Sequence, residues 1–297
     1  MTVVGSVVLD NKWFPVGSVR TKSADHPLWH VHRRHGGVGR NVAENLARLG
    51  VPVFFTGLSG WDAVAAEIEG RLTDTGVRLA VVRVPDGVGR FDVHLDHAGE
   101  LVRSRICLPD AELLTWDAVS AALPDLGGAA VVAVETGSAR RLFEALRFHT
   151  SRRGARLLGM PTQLVNLGPR WKLVRQVDIL VLNQKEAALL TGLPRGDLSA
   201  ARDQVRALLA GGPSTVVLTC GGLGAIAASA EDPEPVHYPA QRVTCVDDTG
   251  AGDALTAALV AGLVSGADLA TSVRSGLDAA RVTVGCPAGV CRRVGGR

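Results

Sequence analysis

The stretch Asp248-Thr249-Gly250-Ala251-Gly252-Asp253-Ala254-Leu255-Thr256 sets small residues, hydroxyls and a carboxylate at the mouth of what reads as a long helix. Ala254 to Val264 is rich in Ala and Leu, with Gly262 as its one breaker, which favours a helix. The peptides of Gly250, Ala251 and Gly252 then form its exposed first turn. Free N–H groups and the positive end of the helix dipole suit an anion there, and glycine lets the backbone approach a ligand. Asp253 is the odd residue, because a carboxylate repels a phosphate. The chemistry that reconciles them is removal of a proton from a hydroxyl as it attacks a phosphoryl group. A first-turn acid that only stabilises the dipole accounts for the same residue.

Three further groups have spacing that could do chemistry. In Gly36-Gly37-Val38-Gly39-Arg40-Asn41, a glycine pair precedes a helix that ends at Gly50, and Asn41 falls in its first turn. That arrangement can grip hydroxyls of a small polar molecule, or can simply be a tight strand-to-helix turn. Asn183-Gln184-Lys185-Glu186 follows an apolar strand. It can organise a hydrated Mg²⁺ near nucleotide phosphates, since Mg²⁺ keeps several waters and takes few protein ligands. It can equally be a plain helix cap. Thr219-Cys220-Gly221-Gly222-Leu223-Gly224 lies between two apolar runs, as a backbone surface for a nucleotide or as a hairpin turn.

Alternating elements must position these groups. Strand-like runs fall at Val3–Leu9, Val51–Thr56, Ala129–Val134, Ala155–Leu158, Ile179–Leu182 and Thr215–Thr219. Helical patterns fall at Val38–Leu49, Ala63–Thr73, Ala139–His149, Gln184–Thr191 and Ala201–Leu209. The alternation predicts an α/β fold with a mostly parallel sheet covered on both faces. No linker divides the chain, so 1–297 is expected to be a single domain. Two segments break the rhythm, about 11–35 and 89–105. The second carries a hairpin signal at Asp96-His97-Ala98-Gly99. Together they are expected to form a small β-sheet lid over the strand ends.

Composition narrows the classes. Of 297 residues 46% are hydrophobic, enough for a large core, and the formal net charge of +3 is spread along the chain. No basic block points to nucleic acid. No apolar run approaches the ~18 residues of a membrane span, and no signal peptide is evident. A cytoplasmic protein is expected. The five cysteines, Cys107, Cys220, Cys245, Cys286 and Cys291, contain no C-x-x-C. Reduced thiols are therefore expected, including Cys286 and Cys291, whose spacing alone would permit a bond.

The order and spacing of these motifs resemble the ribokinase-like (PfkB) family of carbohydrate and nucleoside kinases over essentially the whole chain. The resemblance runs from Gly5–Asp10 through Gly36, Gly37 and Asn41, Asn183 and Glu186, and Gly221–Gly224. It ends at Asp247–Asp253, one of the family's most specific motifs. It implies a three-layer ribokinase-like fold and an ATP- and Mg²⁺-dependent kinase. Asp253 would be the general base, and Gly250, Ala251 and Gly252 the anion hole. Asp10, Gly36, Gly37 and Asn41 would hold the acceptor. Asn183, Glu186, Thr219, Gly222, Gly224 and Thr249 would serve the nucleotide, with Glu186 reaching Mg²⁺ through water. Asp247 would stand at a monovalent-cation position, which makes K⁺ activation an expectation.

Within the family, the Gly36–Gly50 segment and the hairpin look most like the pseudouridine kinase branch, which implies phosphorylation at a 5′-hydroxyl. The departures are Cys107-Leu108-Pro109-Asp110, Met160-Pro161, Glu135 and Asp248, most of them nearer acceptor positions. The rival readings are a catalytically silent sugar or nucleoside sensor and a kinase of sugars or sugar phosphates. The latter would use Arg33, Arg34, Arg90, Arg103 or Arg105 as cationic grips. His26, His30, His32 and His35 read as lid polarity or nucleoside contacts rather than a metal site. Trp13 and Trp29 read as base-stacking residues or as part of a homodimer interface.

Overall fold

A computed structural model of the chain describes residues 1–20, 25–122, 128, 130–162 and 171–296. Residues 21–24 of the expected 11–35 segment and Ala129 of an expected strand lie outside the described residues. In chain order the first elements are β1 (Thr2–Val4), β2 (Val8–Arg20), β3 (Asp25–Gly36), α1 (Val38–Arg48), β4 (Phe54–Thr56), β5 (Leu58–Ser59), α2 (Ala63–Asp74), β6 (Arg78–Leu79), β7 (Val82–Arg83), β8 (Gly89–Leu95) and β9 (Leu101–Cys107). There follow α3 (Trp116–Ala122), β10 (Val131–Glu135), α4 (Arg140–Arg153), β11 (Arg156–Met160), α5 (Trp171–Val174), β12 (Ile179–Asn183), α6 (Gln184–Thr191) and α7 (Leu198–Ala210). The remainder are β13 (Thr215–Thr219), β14 (Ala225–Ser229), β15 (Val236–Tyr238), α8 (Ala251–Val264) and α9 (Leu269–Val284).

The main sheet runs in the order β15-β14-β13-β12-β11-β10-β1-β4-β6. It is parallel from β6 to β13 and antiparallel through β14 and β15. Successive side chains of each strand enter opposite cores. Leu180 and Leu182 join Val132, Val134 and Val216 with Phe143 and Leu146 of α4 and Val205 of α7. Ile179 and Val181 join Val131, Ala133 and Val217 with Leu46 of α1, Ile68 of α2, Leu259 of α8 and Val273 of α9. The strands between the layers are apolar in both directions, which is why they read as continuous apolar runs. The three-layer α/β architecture is therefore as expected. Among the described residues, no helix is long and apolar enough to cross a membrane.

Four strands form a second sheet in the order β3-β2-β8-β9. The expected first strand, Val3–Leu9, does not run unbroken into the main sheet. Gly5 donates to the Thr56 carbonyl at 3.0 Å and Ser6 donates to Glu135 at 2.8 Å. The chain thereby leaves the main ladder and starts β2 of the second sheet at Val8. The hairpin is present, with Asp96 accepting from the N–H groups of Ala98 and Glu100 in the turn. The glycine turn at 221–224 is a hairpin connection between antiparallel β13 and β14.

The cysteine expectation is overturned at one pair. Cys286 and Cys291 are bonded, their Cα atoms 5.8 Å apart. After α9 ends, the chain folds back through Gly285–Cys291 onto α8, and this short reversal brings the two buried sulfurs together. An inference from cellular compartment could not register that local geometry. Cys107, Cys220 and Cys245 are free.

Candidate active site

Two helix N-termini face one another above the carboxyl ends of the main strands, where open α/β sheets place ligands. The first is that of α1. Its cap, Gly37, takes φ 96° and offers no side-chain hydrogen bond. A Cβ there would strike the Ser6 carbonyl, so glycine is required. The anion that this helix end favours is supplied from within the protein. Glu135 Oε1, at the end of β10, accepts the Gly39 N–H at 2.6 Å and the Ser6 N–H at 2.8 Å. Burial nevertheless pushes the Glu135 carboxyl up, against the lowering effect of those bonds.

The second is that of α8. Gly250 caps it in the left-handed region at φ 81°, again with no side-chain cap bond. By contrast, Asp62, Asn183, Asp197 and Asp268 each cap the helices that follow them. Among the described residues no internal carboxylate replaces the cap here, as Glu135 does for α1. Ala251 donates its N–H to the Asp248 carbonyl at 3.2 Å, so that group serves the loop. A side-chain position on Gly252 would meet open space. The α8 terminus is thus the one with room for an external anion.

Asp253 stands in the first turn of α8. Its Oδ2 accepts from Asn41 Nδ2 of α1 at 2.6 Å. Burial, reinforced by Glu135 and Asp10, raises its pKa to about 7, against the opposing effects of the Asn41 bond and Arg40. Asp10, on β2, lies against Gly36. Burial raises it to about 6, opposed by Arg40, Lys12 and Arg34. Asp10, Gly36, Gly37, Asn41 and Asp253 are therefore brought to one place. A carboxylate poised near neutrality beside an anion-accepting helix end can take a proton from a hydroxyl and leave it a phosphoryl group to attack.

The nucleotide-side residues divide. Asn183 and Glu186 form a full capping box on α6, each side chain bonding the other's backbone N–H, at 3.0 and 2.8 Å. Burial raises Glu186 to about 7, and Asp253 adds to the rise, so the cap also faces the site. Thr219 ends β13, its hydroxyl 3.4 Å from the Leu182 carbonyl. Gly222 is open to solvent on its side-chain side, and Gly224 packs under Tyr238. Asp247 is held by Lys12 at 3.0 Å, by Arg34 and by the Thr249 N–H at 3.0 Å. These hydrogen bonds hold its carboxyl well below the usual range against the opposing burial, which is the largest influence.

The sequence reading missed Lys12, Arg40 and Ser6, and offered Arg34 as a grip for a sugar phosphate rather than as a partner of Asp247. Their signal was weak because each acts across strand register or from a helix face already explained by packing. Alternation along β2 puts Asp10, Lys12 and Phe14 on one face of the second sheet. The register places Arg34, His32 and His30 opposite them on β3, with Phe91 beside Asp10 on β8. Lys12 reaches the signature loop, so this face looks toward α8. Trp13 lies on the other face, its ring stacked 5.6 Å from His94, which also meets Trp29.

The two opposed helix ends and their shared carboxylate define a phosphotransferase that takes a hydroxyl as acceptor. The model of the pfkB family of carbohydrate kinases matches residues 2–290, and the chain belongs to that family. It is a kinase of carbohydrates or nucleosides. It is 24% identical over 282 residues to the guanosine-inosine kinase of Exiguobacterium acetylicum, covering 94% of this chain and 92% of that one. It is 28% identical to the bifunctional protein HldE of Caulobacter vibrioides over 92% of this chain. It spans only 57% of the length of that relative. Arabidopsis thaliana ribokinase complexed with ribose and ATP shares the fold, with a TM-score of 0.80, 22% identity and coverage of 99% of this chain and 96% of that one.

Proposed function

We propose that this kinase transfers the γ-phosphoryl of ATP to the primary hydroxyl of a nucleoside, with pseudouridine the first acceptor to test. The observation that carries the reading is Asp253, half-buried at the open end of α8 and bonded to Asn41. Asp253 takes the acceptor proton as the hydroxyl attacks in line. The backbone around residues 250–252 stabilises the charge that develops. Asp10, Gly36, Gly37 and Asn41 hold the acceptor, and Thr219, Gly222, Gly224 and Thr249 lie along the nucleotide. The second sheet acts as the lid of a single catalytic unit.

Mg²⁺ suits the donors near α6. Glu186 and Asp253 are half-buried carboxylates that interact, and Glu186 would hold a hydrated Mg²⁺ through water, which would relieve that repulsion. When bound, Mg²⁺ would neutralise charge on the phosphoryl oxygens. K⁺ suits Asp247 poorly, because Lys12 and Arg34 already balance it. No step is routed through K⁺.

A nucleoside is favoured over a free sugar by the lid face that carries Asp10. Phe14 and His32 lie 5.1 Å apart there and His30 and His32 4.6 Å apart, an aromatic surface with no task in holding ribose alone. We also infer a homodimer, with edge strand β9 covered by a second copy; its Leu101, Val102 and Ile106 are exposed. Light scattering is expected to give twice 31.0 kDa. No feature of the site calls for nucleic acid or a membrane, and a cytoplasmic location fits these substrates.

ADP release is the test, against pseudouridine, uridine, guanosine, inosine, adenosine, ribose and fructose 6-phosphate. The expected kcat/KM for the best nucleoside exceeds that for ribose by at least about tenfold, with pseudouridine first. Replacing K⁺ with Na⁺ is expected to leave the rate within about twofold. Preference for guanosine or inosine would keep the nucleoside reading and remove pseudouridine. Preference for ribose or fructose 6-phosphate would remove the nucleoside.

A further inference from the structure

Arg40 is 1% exposed and heads the fully buried side chains by volume. Its Nε donates to the Gly36 carbonyl at 3.2 Å. One terminal nitrogen meets Glu44, and the other meets both the His35 carbonyl and Asn41 Oδ1. Glu44, fully buried, also accepts from Arg48 at 2.8 Å and Arg71 at 3.0 Å. A well-packed apolar residue would stabilise this position as well as a buried ion pair does, or better. The arginine therefore needs a reason other than stability.

Donor and acceptor chemistry supplies it. A guanidinium can only donate, so it must meet the oxygen of the Asn41 amide. An ionised carboxylate can only accept, so Asp253 must meet the amide's NH₂ group. One orientation of Asn41 satisfies both, and Arg40 enforces it. With Oδ2 of Asp253 taken by Asn41, Oδ1 is left for the acceptor hydroxyl.

We propose that Arg40 is a positioning residue for the base: anchored by Glu44, it locks the Asn41 amide so that Asp253 is held correctly aimed at the acceptor. The inference rests on the assignment of Asp253 as base made above. The charged groups around Asp253 are Arg40 on α1, Asp10 on β2, Glu135 at the end of β10 and Glu186 on α6. Arg40 is the cation of that set.

A double-mutant cycle between Arg40→Gln and Asp253→Asn tests this, with whichever acceptor the wild type phosphorylates. Arg40→Gln is expected to lower kcat roughly 10- to 100-fold, with ATP KM within about twofold. Arg40→Lys should recover part of the loss. In the Asp253→Asn background the same change is expected to cost less than about twofold, because the two act as one unit. Equal losses in both backgrounds would overturn the proposal. Should Arg40→Gln fail to fold, Arg40→Gln/Glu44→Gln removes both buried charges together and enters the same cycle. Should the wild type phosphorylate no acceptor, the base assignment is lost separately, and ¹⁵N NMR of the Asn41 side-chain amide decides the inference. NH₂ signals as slowly exchanging in Arg40→Gln/Glu44→Gln as in wild type overturn it; faster exchange in the variant supports it.

Discussion

Asp253→Asn is expected to lower kcat by at least about a hundredfold while the protein stays folded. Asn keeps the shape and can still accept the Asn41 bond, so what is lost is the ability to take a proton. The wild-type pH profile should carry the same signature. Asp253 sits at about 7 in the folded protein against an ordinary 3.8, because of burial. The base must be ionised, so kcat/KM is expected to rise with pH through about 7 and then level. Stability runs the other way. A carboxyl raised on folding contributes stability that is full below its unfolded pKa and lost as pH rises through its folded one. At pH 8 the buried charge is therefore a cost to the wild type, and the Tm of Asp253→Asn should lie above it. A near-wild-type rate for the variant would remove Asp253 from the chemistry. A lower Tm would show that the carboxylate is structural.

Gly250→Ala should lose on the order of 10²- to 10³-fold in kcat, the scale of one missing oxyanion donor, and should also lower Tm. Two physical effects combine. The backbone sits at φ 81°, which costs an L side chain about 1–3 kcal/mol. A Cβ would also strike the Gly289 carbonyl, so the loop between the bonded cysteines must move away from α8. The control is Gly70→Ala in α2, where a Cβ meets open space; its rate and Tm should match wild type or better. If Gly250→Ala keeps its rate, the α8 end is not where the phosphoryl group sits.

The parallel strands were legible because both their faces are buried, which leaves short apolar runs such as Ile179–Leu182 between helical patterns. The second sheet was legible as a break in rhythm, though not as strands of 13 and 12 residues. Its side chains alternate between solvent, site and main body, so no single polar or apolar period marks it. β14 was legible only as an apolar run beyond the glycine turn, and β15, three residues long, went unread. At the site, glycines and Asp253 announced themselves because their residue types are hard to explain otherwise. Arg40 and Glu44 did not, since an Arg and a Glu four apart on a helix read as a surface pair. Only the packing of α1 shows them to be interior. Asn41 was legible as a site residue, but its bond to Asp253 joins positions 212 apart and needed the fold.

The contact between Gly250 and Gly289 sets an order on synthesis. Asp253, Asn41 and Asp10 are all in place by residue 253, and the main sheet is finished earlier still, at Tyr238. Yet the backbone that props the left-handed turn at Gly250 comes from position 289. A nascent chain can thus assemble nearly its whole core on the ribosome while its phosphoryl cradle still lacks that support. Only when Gly289 emerges can that support form.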